Sequence, residues 1–514
     1  MLLVAACSVL FISAFALVAL RATQPEARYA WLVAVGGSML AFVIVLSWGF
    51  QLPFELTLPA WQPQILFPTP IQFHADEIAW AFSISVAGLL VAILLTAAVG
   101  SVVGTSLSWA GILLLGGLGV LAVTANNPLT LLMIWALLDM TELAALLRSV
   151  NGERNNERVV VSFGTRSVGS ALLLWAYIES YTADAPLHFQ AMQSPASVYL
   201  LIAAGLRLGV LPLHLPYEPE SSLRRGFGTA IRLIGAVSSL SVLGHAQIVA
   251  TWVNPFLMIL AMIAAVYGGW MWLRAPDELN GRPYWMIGIA SLSILSALEG
   301  NPAGAAAWAC ALLLSGGAIF LSSVREVRIS RVLLVCTWCL SSLPFSLTAA
   351  AWTGTSWFII PFAVAAQATI LAGFIRHALR SSENKSLDDQ PSWAKVAYPV
   401  GIILLIALQV FLGIFFQISL PQIGNWIPGL LASILTVGLF WATRRFRVFN
   451  PARALWVGTA SQEINNLYQG LWSVYRSFAR IAQTANRALE GEGGIMWTLL
   501  FLALFISVIA GEIK

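Results

Sequence analysis

The sequence predicts an all-α integral membrane protein of about 16 transmembrane helices, and three observations lead there. Hydrophobic residues fill 59% of the 514 positions and charged residues only 10%, whereas soluble domains average about 25% charged. Mean hydropathy is +0.82. Apolar runs of about 20 residues, enough to cross a bilayer as a helix, recur along nearly the whole chain.

These runs lie near 2–20, 29–50, 78–99, 106–125, 129–148, 159–180, 195–213, 227–249, 255–273, 284–299, 303–323, 332–350, 355–378, 396–416, 427–443 and 495–511. The first lacks the basic start and small-residue cleavage site of a signal peptide, so it is expected to be a retained span. Basic residues gather in alternate connections: Arg21 and Arg28; Arg148, Arg154 and Arg158; Arg224 and Arg225; Arg274 and Arg282; Arg325, Arg328 and Arg331. Arg376, Arg380, Lys385 and Lys395, then Arg444, Arg445, Arg447 and Arg453, continue the alternation. The connections between them carry no Lys or Arg. The positive-inside rule then puts the basic loops in the cytoplasm and both termini outside, as in a bacterial-type inner membrane or an equivalent energy-coupling membrane.

Composition and motifs also exclude several function classes. The net charge of +4 and pI near 9.0 follow from the basic loops, so no nucleic-acid partner is implied. The longest polar stretches, 51–77 and 380–395, are too short for a soluble catalytic domain. No Walker loop and no GxGxxG at a strand–helix junction is present, which argues against nucleotide binding by this chain. Cys336 and Cys339 have CxxC spacing, but they fall inside a span without a second ligand pair and read as small core residues. No cofactor or metal is expected to be bound by this chain.

Between 452 and 490 the pattern changes. Ile464, Leu467, Leu471, Val474, Phe478 and Ile481 recur at helical spacing with Glu463, Gln469, Arg476, Arg480 and Arg487 between them, the signature of an amphipathic helix lying on a membrane or partner surface. Two spans carry an interior proline, Pro212 and Pro344, five spans apart. Such matched breaks point to an inverted repeat with an ion site near the midplane; two ordinary kinks would look the same. The expected divisions are 1–104 (N-terminal helices and outer loop), 105–275 and 276–443 (two similar halves), 444–494 (lateral helix) and 495–514 (last anchor).

Five ionisable residues fall inside the apolar runs: Asp139, Glu142, Arg166, Arg207 and Arg232. A charge at the bilayer centre costs roughly 2.5–3.5 kcal/mol on insertion scales and persists only when paired or used. All the basic members are arginines, which do not release a proton in proteins, whereas a desolvated lysine does. His214 follows Pro212 at a span end, where it suits either a proton relay or a bond to a carbonyl. Glu179 and Glu299 sit at outer span ends, as solvated carboxylates or proton exits.

Several segments resemble the antiporter-like membrane subunits of proton-pumping NADH–quinone oxidoreductase (complex I) and of Mrp-type antiporters and membrane hydrogenases. Ala125-Asn-Asn-Pro-Leu-Thr-Leu-Leu-Met-Ile-Trp135 is similar to the family's stretch leading to Trp-Glu, and Val168-Gly-Ser-Ala-Leu-Leu-Leu174 to its next helix. Gly205-Leu-Arg-Leu-Gly-Val-Leu-Pro-Leu-His214 resembles the lysine–proline–histidine element of its broken seventh helix. Leu314–Phe320 and Ser341–Pro344 match two later elements. The resemblance spans residues 105–380 and, more weakly, the tail.

It implies two linked half-channels that move protons through buried Glu and Lys. It also implies a membrane partner set, with iron–sulfur clusters, flavin and quinone carried by other subunits. The departures are specific. The family's glutamate falls on Ala136, with Asp139 and Glu142 three and six residues later on nearly the same face. Its seventh-helix lysine is Arg207, its twelfth-helix lysine falls near Trp352, and Arg232 lies near a lysine or histidine position. Two readings stay open: an altered proton path through Asp139, Glu142, Arg166, Arg207, His214 and Arg232, or a fixed ion-pair cluster among the first four. The chain is then a membrane-arm subunit with a partly degenerate channel, an active cation/proton antiporter subunit, or a structural scaffold.

Overall fold

A computed structural model describes residues 1–446 except 25–28, 60–68, 100–104, 150–152, 194–195, 216–222, 224, 247–252, 325, 381–386, 388–389 and 420–425. The expected lateral helix 452–490 and last span 495–511 lie outside the described residues.

The chain opens with α1 (Leu2–Thr23) and α2 (Ala30–Trp48), then a hairpin of β1 (Phe54–Thr57) and β2 (Gln72–Ala75). The helices α3 (Glu77–Thr96), α4 (Ser106–Thr124), α5 (Pro128–Ser149), α6 (Glu153–Thr182), α7 (Ala196–Arg207) and α8 (Arg225–His245) follow. Next come α9 (Asn254–Arg274), α10 (Arg282–Leu298), α11 (Pro302–Leu321), α12 (Val327–Leu333) and α13 (Val335–Cys339). The described part closes with α14 (Ile360–Ala378), α15 (Ser392–Ser419) and α16 (Ile427–Phe446).

Among the described residues 11 helices are long and apolar enough to cross a membrane. The chain is therefore a multi-pass, almost entirely α-helical membrane protein. Among the described residues the remaining expected spans are shorter or interrupted. α7 has 12 residues, α10 has 17, and the expected span 332–350 is split into α12 and α13, of 7 and 5 residues. Among the described residues the only strands lie in the loop 51–77. There β1 and β2 pair antiparallel, Phe54 opposite Ala75 and Thr57 opposite Gln72.

Helix starts follow capping chemistry. Asn127, Asp76 and Asn301 each accept a main-chain N–H three residues on: Thr130 at 2.8 Å, Ala79 at 2.7 Å and Gly304 at 2.8 Å. Each bond satisfies a donor the helix itself leaves open. α3, α8 and α11 are buried almost all round and pack on one another at the centre. α6 packs on α5 and α7 and keeps an exposed apolar side, including Val168, Trp175 and Ile178. Helices apolar on every face belong in the interior; those with one open apolar side suit lipid or a neighbouring subunit.

The two ends of the bundle differ. Arg148, Arg225 and Arg274 lie at one end, by the last turns of α5 and α9 and the first of α8. The hairpin, Asp76 and His245 lie at the other, at the start of α3 and the end of α8.

Candidate functional site

The four charges Asp139, Glu142, Arg166 and Arg207 come together where α5, α6, α7 and α8 meet. Asp139 and Glu142 stand three residues apart on α5, hence on one face, and each is 4% exposed. Arg207 is the last residue of α7, where a cation also meets the negative end of the helix dipole. Its guanidinium grips Asp139 bidentately, Nη1 to Oδ2 at 2.6 Å and Nη2 to Oδ1 at 2.7 Å. Nη1 also donates to Ser170 Oγ at 3.2 Å and to the Arg166 carbonyl at 3.4 Å, and Nε donates to Ser239 Oγ at 3.3 Å. Trp135, one turn before Asp139, lies under the guanidinium, 4.2 Å from ring centroid to Cζ. Its Nε1 donates to the Ser238 carbonyl of α8 at 3.4 Å.

Arg166 of α6 forms a second bidentate pair, with both carboxylate oxygens of Glu142. It also stands 3.7 Å from Asp139, which joins the two pairs into one neutral quartet. Two fork-to-fork pairs are the geometry in which arginine binds carboxylate most strongly. Each carboxylate faces guanidinium groups, and neither cation can give up its proton. The quartet can hold charge and bind helices, but its arginines cannot relay protons.

The chain reaches Arg207 and then leaves the helix by a defined turn. The Val210 N–H bonds the Gly205 carbonyl at 2.9 Å and the Gly209 N–H bonds the Leu206 carbonyl at 3.2 Å, a Schellman ending. Gly209 supplies the required left-handed residue at φ 74°. The break expected near Pro212 thus sits two residues past the arginine. His214 folds back onto it, its N–H bonding the Gly209 carbonyl and its Nδ1 lying 2.9 Å from the Pro212 carbonyl. Arg232 is buried on α8, on the face that also carries Gly235 and Ser239. Gly235 borders Glu142, so Arg232 stands beside the quartet's helix junction.

Gly169 explains how α6 and α7 come so close. A Cβ there would lie 2.7 Å from Arg207 Cγ and 3.2 Å from the Ala203 carbonyl. Gly169→Ala is therefore expected to push the Arg207 stem off its path and lower stability by about 1–3 kcal/mol, as overpacking does. Unfolding of the variant in nanodiscs, followed by tryptophan emission, measures it.

The second break, near Pro344, is closed by neutral side chains. Gln367 of α14 donates through Nε2 to the Leu340 carbonyl at 2.8 Å and to Ser342 Oγ at 3.0 Å. Thr348 Oγ1 donates to the Cys339 carbonyl at 3.2 Å and accepts from the Ser342 N–H at 3.1 Å. Trp352 ends a 3-10 turn (Ala349–Trp352) and is 3% exposed. Its ring meets Trp308 of α11 edge-on, centroids 6.4 Å apart. Glu299, at the end of α10, accepts from the Ser356 N–H at 2.7 Å and Oγ at 2.6 Å, which ties it to the connection before α14. Cys336 and Cys339 are buried free thiols, and Cys336 Sγ accepts from Gln409 at 3.5 Å.

No protein-family model and no curated protein matches the sequence. Solved structures do match the fold. A chain of the Mrp complex from Dietzia sp. DQ12-45-1b aligns with TM-score 0.73 at 15% identity, covering 100% of this chain and 63% of that one. The present chain thus spans less than two thirds of that relative's length. The likeness is one of fold, and chains of two respiratory membrane complexes share it. A chain of the membrane-bound sulfane sulfur reductase, an archaeal respiratory membrane complex, aligns with TM-score 0.65 at 13% identity, covering 97% and 99%. A chain of respiratory complex I from Thermus thermophilus with bound NADH gives TM-score 0.61 at 16% identity, covering 86% and 100%.

Trp135, Ser170 and Ser239 complete the site without being legible as site residues. A search for charges inside apolar runs passes over a tryptophan and two serines. The available signal is spacing: Trp135 and Ser170 each stand four residues from a buried charge, Asp139 and Arg166, on the same helix face.

Proposed function

We propose that this chain is a membrane-arm subunit of a complex-I-like, redox-driven proton translocase, and that its own proton path is partly degenerate. The observation that carries this reading is the bidentate Arg207–Asp139 pair at the end of α7. The resemblance places a titratable lysine at Arg207, beside the helix break. A guanidinium clamped to a carboxylate modulates its surroundings electrostatically but does not pass protons on. The neutral closure of the second break supports the same conclusion.

In this reading the breaks after Arg207 and after Cys339 are corresponding points of an inverted repeat, with halves 105–275 and 276–443. The arginine-rich end faces the cytoplasm and the hairpin end faces outward. Redox chemistry belongs to partners holding iron–sulfur clusters, flavin and quinone. A second reading, a subunit of a cation/proton antiporter with Asp139 and Glu142 as ion ligands, draws on the fold match to a chain of the Mrp complex.

The test is transport by the purified chain. Reconstituted alone in liposomes carrying an internal pH dye, it is expected to pass no protons when a pH or sodium gradient is imposed. Robust uncoupler-insensitive flux would sink the degenerate-path reading. Co-purification of quinone-reductase or hydrogenase subunits from native membranes supports the first reading; small antiporter subunits alone support the second.

A further inference from the structure

A second group of titratable side chains lies at the hairpin end, apart from the buried quartet. Asp76 caps α3 and uses the same Oδ1 to meet Nε2 of His245, the last residue of α8, at 3.2 Å. Its Oδ2 accepts from Gln190 Nε2 at 3.4 Å. The other imidazole nitrogen of His245, Nδ1, faces the Ser241 carbonyl at 2.8 Å. Both ring nitrogens therefore face oxygen acceptors. A neutral imidazole has only one N–H and would turn a lone pair toward one of them; the imidazolium satisfies both.

We infer that Asp76 and His245 form a proton-binding site at the hairpin end of the bundle, with the proton carried by His245 and its release loosening the hairpin from α8. The hairpin is tied down nearby at three points. The Asn126 N–H bonds the Gln72 carbonyl at 3.0 Å, the Gln72 N–H bonds Thr130 Oγ1 at 3.1 Å, and Asn127 Nδ2 bonds the Pro70 carbonyl at 3.1 Å. These bonds hold it over the α4–α5 turn and do not depend on pH. The Asp76–His245 contact adds a polar tie between the exit of β2 and the end of α8, beside the apolar packing of α3 on α8. His245 lies six residues past Ser239, about 9 Å along the helix axis, so the proton binds on the helix that also contacts Arg207.

Other titratable and charged groups lie around this pair. Glu77 follows Asp76 on α3. On the hairpin, His74 Nδ1 lies 3.2 Å from Glu55, which is more than half exposed. On the turn at Phe189–Ala191, the preceding His188 meets Asn126 at 3.2 Å. Glu299 at the end of α10 is bonded to Ser356. Next to His245, Gly244 packs against Ile78, Phe82 and Ala306, which are apolar. Burial pushes the Asp76 carboxyl upward, but the hydrogen bond and charge of His245, with the Ala79 N–H, outweigh it and hold Asp76 at about 2. With the folded-state value depressed, the Asp76 contribution is complete above the ordinary carboxylate range and lost only as pH falls through about 2. Above the acid range of Asp76 the proton exchanged at this site is the one on His245.

Hydrogen exchange of the full chain in nanodiscs tests this, with rates corrected for intrinsic pH dependence. Protection of amides in 70–80 is expected to fall about tenfold between roughly pH 5.5 and 8.5, as one charge-assisted bond is lost. His245→Gln should abolish that dependence, and His74→Gln should keep it. Asp76→Asn retains a good cap and should likewise abolish it. Wild-type protection that does not change with pH overturns the inference, as does a dependence that survives in His245→Gln. The chain has five histidines, so nitrogen-15 imidazole spectra of the wild type give a check that needs no variant to fold. A His245 ring that stays neutral at about pH 5.5 also overturns it.

Discussion

Arg207→Ala is expected to lower the stability of the bundle by about 3–5 kcal/mol, because it strands the buried Asp139 carboxylate. Asp139 is 4% exposed and takes two of the guanidinium N–H groups. Alanine also removes the bonds to Ser170, Ser239 and the Arg166 carbonyl, and the face contact with Trp135. Removing both charges together, Arg207→Met with Asp139→Leu, should cost much less, since no charge is left buried without a partner. Arg207→Lys should fall between. A lysine keeps the charge but not the fork or the planar stacking, so substitution at a bidentate, stacked site is not conservative. Denaturant unfolding in nanodiscs of the two single variants and the double variant checks this. If Arg207→Ala is no less stable than the double variant, the quartet is not what holds α5, α7 and α8 together.

Charges inside apolar runs are legible because each costs free energy that lipid cannot return, so the sequence singles out Asp139, Glu142, Arg166, Arg207 and Arg232 before any helix is placed. Which carboxylate meets which arginine is not legible, since pairing depends on how α5, α6 and α7 rotate against one another. Gly169 and Trp135 set that rotation, one by lacking a side chain and the other by filling space under the guanidinium. The spans were legible from their length and apolar character. The hairpin at Phe54–Ala75 was not, because its strands have only four residues each and a proline-rich loop between them. Asp76 and His245 escaped notice for another reason: a carboxylate and an imidazole at helix ends cost little by themselves. Only the fold, by facing both ring nitrogens with oxygens, gives them a shared role.

Trp352→Ala is expected to cost about 3–5 kcal/mol, the range for truncating a large aromatic in a packed interior. The ring is 3% exposed and lies edge-on to Trp308, while Asn301 Nδ2 donates to the carbonyls on either side, Ala350 at 2.8 Å and Thr353 at 3.1 Å. Asn301 thus holds the backbone still, and little collapse into the vacated space is open to it. Trp352→Phe should be far milder, because the indole Nε1 is buried with no hydrogen-bond partner among the described residues. Phenylalanine gives up volume but also removes a donor whose burial costs about 1–3 kcal/mol. Trp352→Lys separates packing from transport. It would set an ammonium against Trp308 and a break closed by neutral groups, with no carboxylate among the residues bonded there. The lysine variant should unfold more readily than the phenylalanine variant and should still pass no protons in liposomes. Proton flux in Trp352→Lys, with stability unchanged, would mean that the tryptophan alone blocks an otherwise intact path. In that case the Arg207 quartet is not the interruption.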